Sequence, residues 1–156
     1  MLRGDFRSIM RFVTVAERIM LTLWVGGLWV IGYMAVPMLF STLDDRKLAG
    51  SIAGDFFHVM NYIGLVCGGL LLISVIVRLR RTWQLWALVA MLALVCANEF
   101  IVQPYIQELK LIGIADGSPA QAEFARLHGL ASVLYMITSL LGLSLVIFGL
   151  QKNSDL

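Results

Sequence analysis

The residue with the clearest chemical potential in this chain is a glutamate, Glu99, set against strongly apolar sequence. The run LWALVAMLALVCA, residues 85–97, holds no charged side chain, and the stretch NEFIVQPY follows it directly. A carboxylate placed within a membrane usually pairs, takes up a proton or reaches water. We expect Glu99 to pair with Arg126 or His128. A proton or cation site, or a carboxylate that simply extends to the interface, are the alternatives.

Other polar residues are spaced so that they could share a pocket with Glu99. His128, Ser132, Tyr135, Ser139 and Gly142 recur at the spacing of one helical face. In the same way Cys96 and Gln103 share a face with Glu99, and Phe57, Asn61, Gly64 and Gly68 form a third such set. The predicted ligand pocket, near the outer rim of the membrane, comprises Glu99, His128, Asn98, Gln103, His58, Asn61, Ser132 and Tyr135.

Soft ligands give a second interpretation of part of this set. Met34 and Met38 are one helical turn apart, and Met60 is expected at a similar depth. With His58 and His128 they could bind Cu(I), which favours thioether and imidazole ligands. Methionine is equally a flexible packing residue, and neither a CxxC nor an HxxxH motif is present. No cofactor is therefore predicted, with copper or haem kept as alternatives.

Composition indicates the elements that position these residues. Of 156 residues 60% are hydrophobic and 14% are charged, and the mean hydropathy is +0.86. Soluble domains carry about 25% charged residues, so the sequence predicts a membrane protein. Four segments reach the roughly 20 residues that a membrane helix needs, at 19–40, 56–77, 83–103 and 127–150. We predict one all-α domain over residues 1–156, a four-helix transmembrane bundle.

Basic residues predict the orientation of the bundle, because Lys and Arg accumulate in cytoplasmic loops. Most of the basic residues fall on the side of the two termini: Arg3, Arg7, Arg11, Arg18, Arg78, Arg80, Arg81 and Lys152. Both termini are therefore expected in the cytoplasm of a cell whose inner membrane holds the protein. Trp83 and Trp86 would then lie at the inner interface.

Two sequence features bear on packing. Small residues allow close approach of membrane helices, and we expect this role for Gly26, Gly27, Gly32, Gly64 and Gly68. A weak internal repeat with one common offset also pairs Pro37 with Pro104, Phe57 with Phe124, Asn61 with His128 and Tyr33 with Phe100. It predicts two related helix pairs with the same direction through the membrane.

Three stretches together resemble a known family. They are LWVGGLWV at 23–30, CANEFIVQPYI at 96–106 and FARLHGLASVLYM at 124–136. Their order and content resemble the transmembrane protein 205-like domain family, which includes small bacterial membrane proteins of no established chemistry. The chain is more distantly similar to the CopD copper-resistance and HemJ membrane proteins. The resemblance implies a four-helix membrane protein, and its distant branch implies copper or haem.

Three functions agree with these observations. The favoured hypothesis is a non-enzymatic membrane module that binds a small ligand or a partner. The others are transport or metal handling through a cavity lined by Glu99, Gln103, His58 and His128, and haem-linked oxidation. An enzyme is the weaker expectation, because no nucleophile, base and orienting group occur together. The expected partners are membrane lipids, a second copy of the chain or another membrane protein. No nucleic acid is expected to bind.

Overall fold

The protein consists of four long helices. The computed structural model describes residues 2–77, 83–114 and 117–149, with only the backbone for residues 2–9. Helix α1 covers residues 2–42 as Leu2–Val30, a π-helical turn Ile31–Ala35 and Val36–Thr42. Helix α2 is Arg46–Val77. Helix α3 joins Trp83–Ala97, a π-helical turn Asn98–Val102 and Gln103–Ile112, and helix α4 is Pro119–Phe148.

The predicted class is confirmed. Each of the four helices is long and apolar enough to cross a membrane, and none of the described residues lies in a strand. The helices extend beyond the predicted segments at 19–40, 56–77, 83–103 and 127–150, the last of which ends at Leu150, outside the described residues.

Local capping explains the early starts of α2 and α4. Asp45 Oδ1 accepts hydrogen bonds from the backbone N–H groups of Lys47 and Leu48, at 2.8 and 3.2 Å. Ser118 Oγ accepts from the N–H of Gln121, at 3.2 Å. Such caps satisfy backbone donors that a helix start leaves unpaired. Both helices therefore begin in polar sequence, before the apolar run.

The helices form an up-and-down bundle in which α1 and α3 each pack against both α2 and α4. The helix ends at residues 42–46 and 112–119 form one face of the bundle, here called the upper end. The helix ends at Val77, Trp83 and Phe148 form the lower end. The bundle centre is filled by a set of fully buried side chains: Trp24, Leu28, Leu71, Leu88, Met91 and Leu145.

Most of the basic residues that predict the orientation lie outside the side chains that the structure describes. Arg78, Arg80, Arg81 and Lys152 lie outside the described residues, and the side chains of Arg3 and Arg7 are not described. Trp83 and Trp86 lie at the lower end and are exposed, as expected for aromatic residues at an interface. Which end faces the cytoplasm stays a prediction.

The internal repeat has a structural counterpart. The π turns Ile31–Ala35 and Asn98–Val102 occupy equivalent positions in the repeat, and each precedes a proline, Pro37 or Pro104. Proline has no N–H and collides with the carbonyl four residues earlier, which in α1 is that of Tyr33 and in α3 that of Phe100. A wider π turn relieves this conflict.

Burial follows the same offset. In α1 the buried positions Glu17, Leu21, Trp24 and Leu28 correspond to Gln84, Leu88, Met91 and Val95 of α3, which are buried as well. The equivalent helices α1 and α3, which run in the same direction, thus bury equivalent positions, whereas of the predicted pair Asn61 and His128 on α2 and α4 only Asn61 is buried.

Glycines hold the helices close at most of the predicted positions. A Cβ on Gly64 would lie 2.5 Å from Trp24 Nε1, and one on Gly68 would lie 2.8 Å from the same indole. Gly27 similarly leaves room for the Met60 side chain. At Gly26 a Cβ would meet no atom of the described residues within 4 Å, so its packing role stays a prediction.

Candidate functional site

Glu99 lies in the π turn of α3 and faces α2. Its side chain is 2% exposed. Asn61 Nδ2 donates a hydrogen bond to Glu99 Oε2 at 2.7 Å, and the other oxygen, Oε1, contacts Nδ1 of His58. Both partners come from α2, one helical turn apart. The carboxylate is thus enclosed by protein and has a polar partner on each oxygen.

His58 connects this buried group to the surface. Its side chain is 56% exposed, and Tyr62 packs against it edge to face, with 4.8 Å between ring centroids. His58 lies three residues after Asp55, the last acidic residue before the apolar run of α2. The pair therefore joins an enclosed carboxylate to an imidazole that is exposed at the surface of the bundle.

The predicted partners of Glu99 are wrong. Arg126 and His128 are exposed on α4, and the ring of His128 is stacked on Phe124, with centroids 5.9 Å apart. The physical reason is that the upper part of α4 turns a purely apolar face to α3, with Ala131 against Val102 and Ile106. Glu99 therefore locks α3 to α2, not to α4.

The polar face predicted for α4 divides into two parts. Ser132 is exposed, and its hydroxyl donates to the carbonyl of His128 in the same helix, at 2.9 Å. Ser139 and Gly142 are buried and Tyr135 is half-buried. The lower residues of this face point into the bundle, whereas His128 and Ser132 do not, so these two are removed from the candidate pocket.

Two more predicted pocket residues lie on α3 beside Glu99. Asn98 is buried, and its Oδ1 has no hydrogen-bond partner in the part of the chain that the structure describes. Gln103 is half-buried one turn above Glu99. A buried carbonyl oxygen with no donor is costly in a nonpolar interior. Asn98 thus adds an open acceptor in the same π turn as Glu99.

The π turn of α1 has a different solution. The hydroxyl of Tyr135 donates to the backbone carbonyl of Leu28 and lies within hydrogen-bond reach of the N–H of Gly32. These two backbone groups would pair with each other in a regular α-helix. Gly32 permits this insertion because a Cβ there would collide with the Tyr135 ring. Gly32 is the repeat equivalent of Glu99. The Tyr135 hydroxyl therefore occupies the π turn of α1, whereas the Glu99 carboxylate lies in the π turn of α3.

Tyr33 and Trp29 reinforce this contact between α1 and α4. A hydrogen bond of 2.9 Å joins the hydroxyls of Tyr33 and Ser139, and Trp29 Nε1 donates to the carbonyl of Ser139 at 3.4 Å. Neither aromatic residue is expected from the sequence to be a polar partner. The signal for them is their spacing of one helical turn, with Gly32 between them.

Removing the Tyr135 hydroxyl tests its insertion into the π turn of α1. Tyr135→Phe should lower stability by about 1 kcal/mol, the usual size of an interhelical hydrogen bond in a membrane. Gly32→Ala should cost more, roughly 1–3 kcal/mol, since the ring must move. Unfolding in mixed micelles measures both, and Gly26→Ala, which meets open space, is the matched control. Equal effects of the two glycine changes would contradict this account.

The proposed soft-metal set is not brought together. Met60 is buried against Gly27, whereas Met34 and Met38 are exposed on α1. His58 contacts Glu99, and His128 stacks on Phe124. Among the described residues no three His, Cys, Asp or Glu side chains are grouped as metal ligands. A shared site for these five residues is therefore not formed.

A second buried carboxylate, Glu17, was missed. Glu17 is 3% exposed, and Ser74 Oγ of α2 donates a hydrogen bond to its Oε1. It lies two residues before the first predicted span, in sequence rich in arginine, which suggests an exposed residue. The internal repeat holds the missed signal, since the equivalent residue, Gln84, falls inside the third predicted span.

Comparison with known proteins gives a family. A domain of unknown function, DUF4149, matches residues 19–115, a region that contains His58, Asn61 and Glu99 and ends before α4. No curated protein and no solved structure matches the chain. The match covers more than half of the sequence, and the protein therefore belongs to the DUF4149 family of uncharacterised domains.

Proposed function

We propose that the protein is a non-enzymatic membrane module whose working group is Glu99, a carboxylate that binds and releases a proton. The supporting observation is the contact between the 2% exposed Glu99 side chain and the 56% exposed His58 imidazole. Ionisable groups buried in a membrane bundle commonly mark proton or ion pathways. Glu99 holds the proton, His58 exchanges it with the surroundings, and Asn61 fixes the carboxylate between them.

The surroundings of Glu99 favour a proton over a larger ligand. Asn61 Nδ2 and His58 Nδ1 already occupy one side of each carboxylate oxygen. Asn98 Oδ1, in the same turn, is a buried acceptor that receives no hydrogen bond from the described residues. A protonated carboxyl group supplies a donor that an ionised one lacks. A π turn also favours this role, since such turns are frequent at functional sites.

The cellular setting is part of the proposal. With both termini in the cytoplasm of a cell whose inner membrane holds the protein, the upper end faces outward and His58 exchanges protons with the outer side. The similarity to the transmembrane protein 205-like, CopD and HemJ proteins belongs here too, beyond the family assignment. It supplies one alternative, in which copper or haem is bound through His58.

Infrared spectroscopy tests the proton site directly. The protein in lipid nanodiscs should show the C=O stretch of a protonated carboxylic acid as pH falls, and Glu99→Gln should remove that band. Glu108→Gln, which changes an exposed carboxylate at the upper end, should leave the band intact. His58→Ala should slow the deuterium exchange of the band by roughly a hundredfold, the usual contribution of a positioned proton-transfer group.

The outcomes separate the hypotheses. If Glu99→Gln removed no pH-dependent carboxylic-acid band, the proposal of a proton site at Glu99 would be contradicted. Unchanged exchange in His58→Ala would remove the histidine from the pathway. Elemental analysis and an absorption spectrum of the purified protein address copper and haem, and a stoichiometric copper content or a Soret band lost in His58→Ala would support that alternative.

A further inference from the structure

A second basic side chain approaches the seam between α2 and α3, above the contact of His58 with Glu99. Lys110 extends from the last turn of α3, and its Nζ lies 3.7 Å from the point that a Cβ on Gly54 of α2 would occupy. Gly54 precedes His58 by four residues, which is one helical turn and about 6 Å of rise. Residues at this spacing are neighbours on the surface of a helix. The lysine ammonium and the imidazole therefore lie along one strip of α2.

Lys110 extends toward the membrane without an acidic partner. Side chains on a helix tilt toward its N-terminus, which for α3 is the direction of Glu99. Lys110 is exposed and forms no ion pair among the described residues. The acidic residues closest to it along the two helices, Asp55 and Glu108, are both exposed and do not pair with it. The ammonium is therefore open to an anion from outside the chain.

His58 offers a second donor on the same strip. Its Nδ1 contacts Glu99. A protonated imidazole donates from both ring nitrogens, so Nε2 is the nitrogen left for a partner outside the chain. Tyr62, one turn deeper on α2, packs against the imidazole ring and is exposed as well. Lys110, His58 and Tyr62 thus present hydrogen-bond donors in a line that descends from the upper end into the membrane.

The strip lies at the depth where lipid headgroups meet acyl chains. His58 is the third residue of the apolar segment 56–77, and tyrosine favours this depth in a membrane. Below Tyr62 the exposed side chains of α2 are apolar, among them Val66 and Ile73. A ligand that fits this order of groups carries an anion above and hydrocarbon below. This requirement describes a phospholipid.

We infer that the strip formed by Gly54, His58 and Tyr62, together with Lys110, binds the headgroup of an anionic phospholipid, represented by phosphatidylglycerol. The phosphate lies between the Lys110 ammonium and Nε2 of His58. The Tyr62 hydroxyl donates to the ester groups of the glycerol backbone, and an acyl chain extends past Val66. Charge-assisted hydrogen bonds to a phosphate are among the stronger polar contacts that a lysine forms.

The same groups discriminate among lipids. Phosphatidylcholine carries the same phosphate but adds a quaternary ammonium, which the Lys110 ammonium repels. Phosphatidylglycerol has no cation in its headgroup, and its hydroxyl groups add hydrogen-bonding capacity. A preference for the anionic lipid is thus the specific consequence of a lysine and a histidine on one strip.

Native mass spectrometry of protein released from nanodiscs of mixed lipids is the test. With equal amounts of phosphatidylglycerol and phosphatidylcholine in the nanodisc, phosphatidylglycerol should be retained in roughly tenfold excess, the effect of one hydrogen bond to a charged group. Lys110→Gln should abolish this preference. Lys47→Gln, which removes another exposed charge at the start of α2, should preserve the preference and is the matched control.

Two further measurements complete the design. Gly54→Leu keeps every charge but fills the place against which the Lys110 ammonium lies, so it should reduce the preference as Lys110→Gln does. Soluble glycerol phosphate is added as a competitor to separate a lipid from a free phosphate, and it should displace little of the retained phosphatidylglycerol.

Three outcomes would each overturn the inference. They are equal retention of the two lipids, an equal loss of preference in Lys47→Gln and Lys110→Gln, which would show a diffuse effect of charge, and full displacement by glycerol phosphate. The strip shares His58 with the proposed proton site. Lipid retention is measured by mass and the proton site by its infrared band, so either proposal can fail without the other.

Discussion

Replacing Trp24 by alanine should lower the free energy of unfolding by about 3 kcal/mol, the low end of the range for a buried aromatic side chain. Trp24 is fully buried and fills the groove that Gly64 and Gly68 leave on α2. Its removal empties the contact between α1 and α2 at the bundle centre. The low end applies because a membrane supplies no hydrophobic drive between helices, so mainly packing is lost.

Trp24→Phe is the matched control for this prediction. The indole N–H of Trp24 has no hydrogen-bond partner among the described residues, so its removal costs no hydrogen bond while most of the ring contact is kept. We expect a change below about 1.5 kcal/mol, as for other buried swaps of similar shape. Unfolding in mixed micelles gives both values. If phenylalanine proved as damaging as alanine, the N–H would have a role that the geometry does not account for.

The second large effect concerns Glu99 as a structural pair. Glu99→Ala should destabilise the protein by about 1–3 kcal/mol, because it leaves a buried hydrogen-bond donor without its acceptor. Here the group left behind is the buried amide of Asn61, together with His58. Glu99→Gln keeps the shape and should cost less.

Double-mutant cycles identify the partners of Glu99. Groups in direct contact couple by roughly 0.5–3 kcal/mol, whereas distant ones add. Glu99→Ala should therefore couple with Asn61→Ala and with His58→Ala, measured by unfolding. Its effect on the free energy of unfolding should be additive with those of His128→Ala and Arg126→Ala, the partners that the sequence alone suggests. Coupling to His128 without coupling to Asn61 would show that the Glu99 side chain pairs with α4 and not with α2.

The sequence was sufficient for the fold because a membrane allows few solutions. Apolar length identifies the helices, and the lipid requires that the backbone be satisfied within each one. The caps at Asp45 and Ser118 extend two helices beyond the apolar runs, and hydropathy does not report them. The internal repeat, visible in a few identities such as Pro37 and Pro104, corresponds to two aligned π turns.

The candidate site was predicted in part. Glu99 and Asn61 were placed on inward faces, as the structure has them, and their direct bond could not be deduced because spacing within a helix says nothing about register between helices. His128 shares a nominal face with Tyr135 and Ser139, yet only the latter two point inward. The face of a helix that is buried depends on which neighbours it meets at each level, and in its upper part α4 packs on α3 through Ala131.

The two π turns differ in the helix to which each is fastened. Gly32 and Glu99 are equivalent positions of the repeat, but the α1 turn receives the Tyr135 hydroxyl from α4, whereas the α3 turn holds Glu99 against Asn61 of α2. The same local distortion of a helix therefore cross-links α1 to α4 in one half of the chain and α3 to α2 in the other.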